Sequence, residues 1–158
     1  MTATPLPITT APTTAPRVLA TEPTRRGSLR TTAAGGAIGA VVGSAGALAV
    51  LAIANIGSPV RVITGWAPDG VDLGVADVVI TTIVSVAIAA VGLAVLERVS
   101  RRGLSTWTIA VAAVTVLSCL PLWRLDLDTG SKAALSMMHL VVGAVVIGAQ
   151  RFVRRPLA

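Results

Sequence analysis

Apolar residues in this chain fill four unbroken blocks separated by short polar segments, with no strict alternation. The blocks run from Thr32 to Ile56, Val75 to Leu96, Ser105 to Trp123 and Ser131 to Gln150. Each is about 20 residues long, which on a helix rising about 1.5 Å per residue matches roughly 30 Å of hydrocarbon. The pattern predicts an all-α integral membrane protein, a four-helix bundle. We read residues 31–151 as the transmembrane domain, between a tail over 1–30 and a short basic tail over 152–158.

The polar residues at the block edges suggest how the helices end. Asp72 or Asp77 suits the start of the second helix, Ser105 the third, and Thr129 or Ser131 the fourth, since unpaired N–H groups there favour an oxygen. Pro121 falls near the end of the third, where losing a backbone donor costs little. Trp107 and Trp123 would stand about 24 Å apart on one helix, near opposite membrane interfaces. The longest connection runs from about Gly57 to Asp72. Gly57-Ser58-Pro59 and Ala67-Pro68-Asp69-Gly70 read as turns. Val60 to Thr64, with Trp66, reads as membrane-surface chain, and a partner outside the membrane would meet this loop first.

Small and polar residues within the blocks fall at helical spacing. The first block has Gly35, Gly39, Gly43 and Gly46, and the second Asp77, Thr81, Ser85, Ala89 and Gly92. The third has Ser105, Thr108, Ala112, Thr115 and Cys119, and the fourth Lys132, Ser136, His139, Gly143 and Gln150. Helices in lipid gain little from the hydrophobic effect, so close approach at small residues and bonds across helices matter more. The expectation is four stripes facing inward.

Composition agrees: 54% hydrophobic and 13% charged leaves too few charges to coat a water-soluble domain, which usually carries about 25%. One cysteine, Cys119, excludes a disulfide scaffold. The net charge of +6 is unevenly placed. Ten cations lie on one side of the four spans: Arg17, Arg25, Arg26, Arg30, Arg98, Arg101, Arg102, Arg151, Arg154 and Arg155. Three lie on the other: Arg61, Arg124 and Lys132. Because cations are retained in the cytoplasm, both termini are expected there, in a plasma-membrane protein. The charge is thus a topology signal, and no nucleic-acid partner is expected. The partners expected are the lipid bilayer and a second copy of the chain or another membrane protein.

The tail to residue 24 is rich in Thr, Ala and Pro and is expected to be disordered. Arg25-Arg26 with the following apolar stretch loosely resembles a twin-arginine export signal. That stretch is longer than the 7–15 residues of a signal core, so an uncleaved first helix is expected.

Candidate chemistry is sparse. His139, the sole histidine, lies mid-span and is a candidate polar site. The simplest role is a bond to Ser or Thr of a neighbouring helix. Met137 and Met138 precede it, but consecutive helical residues point about 100° apart and cannot all face one ion. Asp77 and Lys132 sit at span ends, to pair with each other or to reach water. Ser136, Ser85 and Thr115 complete the candidate polar positions. Glu97 with Arg101 reads as an i,i+4 pair. Asp128-Thr129-Gly130 spells a protease triplet without the second carboxylate that chemistry needs. No metal set, cofactor or catalytic residue is expected.

The second half carries a resemblance. Leu96-Glu97-Arg98-Val99-Ser100-Arg101-Arg102, Trp107-Thr108-Ile109-Ala110, Leu117-Ser118, Pro121-Leu122, Lys132-Ala133-Ala134-Leu135 and Met138-His139-Leu140-Val141-Val142 resemble a family of small actinobacterial four-span proteins of unknown function, over about residues 70–150. The resemblance implies a plasma-membrane bundle and brings no activity. The leading reading is a non-enzymatic structural or interaction role. The alternatives are a transporter or channel component with a Ser/Thr/His-lined path, and a redox or metal-binding subunit using His139.

Overall fold

The computed structural model describes residues 28–64 and 67–155. The Thr/Pro-rich tail, Arg25-Arg26, Trp66 and the last three residues lie outside the described residues. Four helices form the body: α1 Leu29–Ala54, α2 Val75–Val99, α3 Gly103–Leu122 and α4 Thr129–Phe152. All four are long and apolar enough to cross a membrane, which marks a multi-pass membrane protein. They pack as a bundle in which each helix lies against its neighbours in sequence and α4 closes on α1.

Asp77 stands at the start of α2 as expected, while the starts of α3 and α4 differ from those expected. Ser28 caps α1 by accepting the Thr31 N–H at 3.2 Å. In α2 the Asp77 carboxylate accepts the Gly74 N–H at 3.1 Å. Ser105 does not cap α3, which begins two residues earlier at Gly103. There the chain turns so tightly after α2 that a Cβ on Gly103 would lie 2.7 Å from the Glu97 Cα. Asp128 caps α4, accepting the Ser131 N–H at 2.8 Å, so neither Thr129 nor Ser131 is the cap.

The expected surface loop is a β-hairpin. β1 (Arg61–Thr64) pairs antiparallel with β2 (Ala67–Asp72), matching Arg61 with Asp72 and Val62 with Val71. Ala67-Pro68-Asp69-Gly70, read from sequence as a turn, lies inside β2. It supplies a register irregularity in which Gly70 takes φ +81°. The hairpin is stitched to the bundle end. The Val60 N–H donates to Asn55 Oδ1 at 3.0 Å, and the Arg61 N–H to Ser131 Oγ at 3.1 Å. Val60 is 2% exposed and packs with Leu51, Val78, Leu135 and Met138.

The glycine ridge of α1 faces inward as expected. A Cβ on Gly39 would lie 3.5 Å from Val86, and one on Gly43 3.5 Å from Thr82. On α2 the inward face is Val78, Thr82, Val86 and Leu93, while Thr81 and Ser85 are exposed. The small and polar stripe expected to face inward there is out of phase by one residue, because the residues that fit over Gly39 and Gly43 are Val86 and Thr82. Trp107 is no interfacial anchor either. It is 2% exposed, and its Nε1–H donates to the Ala89 carbonyl of α2 at 2.7 Å.

At Gly143 α4 lies close against α3. A Cβ there would collide with Thr115 Oγ1 and would lie 3.0 Å from the Thr115 Cβ, which side-chain rotation cannot move away. Gly92 has open space at the same position. Gly143→Ala is therefore expected to cost about 1–3 kcal/mol of bundle stability. Gly92→Ala is expected to be neutral or to gain up to about 1 kcal/mol from helix propensity. Unfolding of the two variants in detergent, followed by circular dichroism, checks the contrast.

Candidate functional site

The polar residues fall into three places: the end where α2 and α4 finish, the hairpin end, and the middle of the helices. At the first, α1 begins, α2 ends, α3 begins and α4 ends, so Arg30, Arg98, Arg101, Arg102, Arg151, Arg154 and Arg155 gather there. Glu97 is the acid among them. Its Oε1 lies 3.1 Å from the Arg154 guanidinium, and the two side chains are 12% and 10% exposed. The expected Glu97–Arg101 pair does not form, because α2 stops at Val99 and Arg101 has left the helix.

Arg154 is the hub of a cluster joining three helices. It donates to the Gln150 carbonyl at 2.9 Å, to Gln150 Oε1, and to Thr32 Oγ1 at 2.9 Å. Gln150, 1% exposed, donates to the Thr32 carbonyl at 3.0 Å. Gly35 makes room: a Cβ there would lie 2.6 Å from Gln150 Oε1. Arg154 Nε is buried without a partner among the described residues. Sequence reasoning had placed Arg154 in a basic tail and missed this cluster. The available signal was a single acid, Glu97, at an arginine-rich end.

At the hairpin end Asp77 is occupied by the Gly74 N–H and is not paired with Lys132, which is half-buried. Ser131 links hairpin and helix. It accepts the Arg61 N–H, and its hydroxyl and N–H both donate to Asp128. Those two bonds hold the Asp128 carboxyl below its usual pKa, the Ser131 hydroxyl contributing most. The cap is thus fully formed at neutral pH, and its contribution is lost only as pH falls through that lowered value.

In the middle, two hydroxyls are bonded to their own helices, while Ser44 Oγ is buried without a partner among the described residues. Thr108 Oγ1 donates to the Leu104 carbonyl and Ser118 Oγ to the Thr115 carbonyl, each at 2.8 Å. Thr115 packs on Gly143, and Cys119 Sγ lies 3.9 Å from the Ser136 carbonyl. Ser136 Oγ is buried without a partner among the described residues. His139 Nδ1 lies 2.8 Å from the Leu135 carbonyl of its own helix, and not on a Ser or Thr of a neighbour. His139 and Ser85 are both exposed. The structure thus brings Thr115 and Ser136 into the α3–α4 contact and leaves His139, Ser85, Asp77 and Lys132 apart. Among the described residues no three His, Cys, Asp or Glu side chains gather as a metal site.

A family model described as a family of unknown function, DUF6069, matches residues 24–155. The chain belongs to DUF6069. The DUF6069 match spans all four helices, a longer stretch than the resemblance over residues 70–150, and it contains both Glu97 and Arg154. No curated protein and no solved structure matches the chain.

The Glu97–Arg154 pair gives a test of the cluster. Arg154→Met strands a buried carboxylate and removes the donors to Thr32 and Gln150. It is expected to cost about 3–5 kcal/mol, and adding Glu97→Gln should recover part of that loss. Denaturant unfolding of Arg154→Met, Glu97→Gln and the double variant in detergent measures the coupling. Equal stability of the single and double variants would show that the pair carries none of it.

Proposed function

We propose that this DUF6069 chain is a plasma-membrane protein, of the actinobacterial kind its second half resembles, with both termini in the cytoplasm. It works through helix packing and partner contact, without turnover. The observation that carries this reading is how four mid-helix polar groups are used. Thr108, Ser118 and His139 bond to carbonyls of their own helices, and Thr115 sits on Gly143. Groups used this way rigidify contacts and do not line a path. The orientation rests on the seven arginines at the end where α4 finishes, since cations stay in the cytoplasm. The outward candidates, His139 and Ser85, are the positions for partner contact. Ser136 and Thr115 serve the α3–α4 contact, while Asp77 and Lys132 serve the hairpin end.

Purified protein in liposomes is expected to leave ion and proton leak at the level of empty liposomes, and to be colourless. Saturable flux abolished by Thr115→Val would overturn the packing reading in favour of transport. A coloured preparation bleached by His139→Ala would overturn it in favour of redox chemistry. For orientation, a reporter that folds only in the cytoplasm should be active at both termini.

A further inference from the structure

Among the polar side chains on the outside of the bundle, two at the same depth are chemically complementary. His139 is exposed on α4, and its Nδ1 lies 2.8 Å from the Leu135 carbonyl. A carbonyl can only accept, so Nδ1 carries the hydrogen and Nε2 of the neutral ring presents a bare lone pair. Ser85 is exposed on α2. Unlike Thr108 and Ser118, it makes no side-chain hydrogen bond among the described residues. Its hydroxyl is a free donor.

The depths match. α2 and α4 both start at the hairpin end, and Ser85 and His139 each lie ten residues beyond the first residue of their helix. Both therefore stand about 15 Å down, near the middle of a hydrocarbon layer of roughly 30 Å. Lipid tails offer neither donor nor acceptor there, and an unsatisfied polar group in hydrocarbon is costly. One chain cannot join the two groups, because α3 lies between α2 and α4 around the bundle. α3 is also the least covered helix: only Gly103 and Trp107 are buried along it, and Ile109, Val116, Leu117 and Leu120 face outward.

We propose that the chain self-associates in the membrane, with Ser85 of one copy donating to His139 Nε2 of the next. The occupant is a second copy because donor and acceptor, at one depth, are both carried by this sequence. The contact is head-to-tail, joining a different surface from each copy, so it continues beyond two copies as a ring or a row. This inference rests on the partner-contact reading above and names the partner.

Paired cysteines test it directly in lipid. In a Cys119→Ser background, chains carrying Ser85→Cys and chains carrying His139→Cys are mixed in nanodiscs or liposomes and oxidised. The mixed pair is expected to cross-link, and Ser85→Cys alone is not. A chain carrying both cysteines is expected to give a ladder above the dimer. With native cysteine, Ser85→Ala and His139→Leu should each weaken association roughly 3- to 15-fold, and the double variant should be no weaker than either single one. No cross-link in a folded, helical protein would overturn the proposal, and so would a cross-link that stops at a Ser85–Ser85 dimer. Absence of cross-linking together with silent liposomes would leave the packing reading standing, and flux with cross-linking intact would do the reverse.

Discussion

A polar group in hydrocarbon must find its partner inside the protein, because no water is there to supply one. Several features of this molecule answer that constraint. The backbone meets it by forming four long helices, and the hydroxyls of Thr108 and Ser118 by bonding back to their own carbonyls. The indole of Trp107 meets it by reaching the Ala89 carbonyl of the next helix. That last bond also explains why so bulky a side chain sits inside. One donor and a large apolar body are satisfied together in the α2–α3 contact.

The same constraint shapes the two ends differently. At the arginine-rich end charged and amide groups are drawn inward, and Arg154 ties α1, α2 and α4 together through Thr32, Glu97 and Gln150. A buried ion pair by itself adds little, since desolvation offsets attraction. Here the guanidinium also serves a carbonyl and a hydroxyl, so removing one partner leaves several groups exposed to the same penalty. At the opposite end the hairpin does the closing with apolar weight. Val60 covers Leu51, Leu135 and Met138 while Ser131 and Asn55 hold the strand by its backbone.

Much of this was legible in the amino-acid order. Four apolar blocks of membrane length, the Gly35-Gly39-Gly43 ridge and the segregation of arginines all appear in the structure where the pattern puts them. What could not be read was rotational phase. A helix apolar on every side gives periodicity no purchase. The choice between Thr81 and Thr82 as the inward residue was therefore settled by the glycines of α1 and not by α2 itself. The Glu97–Arg154 pair was hidden for a related reason, since its members lie far apart in sequence and a nearer arginine, Arg101, offered a plausible local partner. The hairpin was obscured because a turn signature, Pro68-Asp69-Gly70, was used within a strand.

His139 brings these strands of reasoning together. Its sequence context, a lone imidazole in a small and polar stripe, suggested an inward group bonded to a neighbouring hydroxyl. Instead its helix turns that face partly outward, and the ring donates its hydrogen bond to the Leu135 carbonyl one turn back. That bond decides the tautomer and leaves the outer nitrogen as an acceptor. The constraint that organised the interior then extends past the surface of a single chain. Thr108 and Ser118 satisfied themselves locally, but an imidazole acceptor has no donor on its own helix backbone at mid-span, where every N–H is already bonded. In the self-association proposed above, its partner is the exposed hydroxyl at the same depth, Ser85 of a second copy.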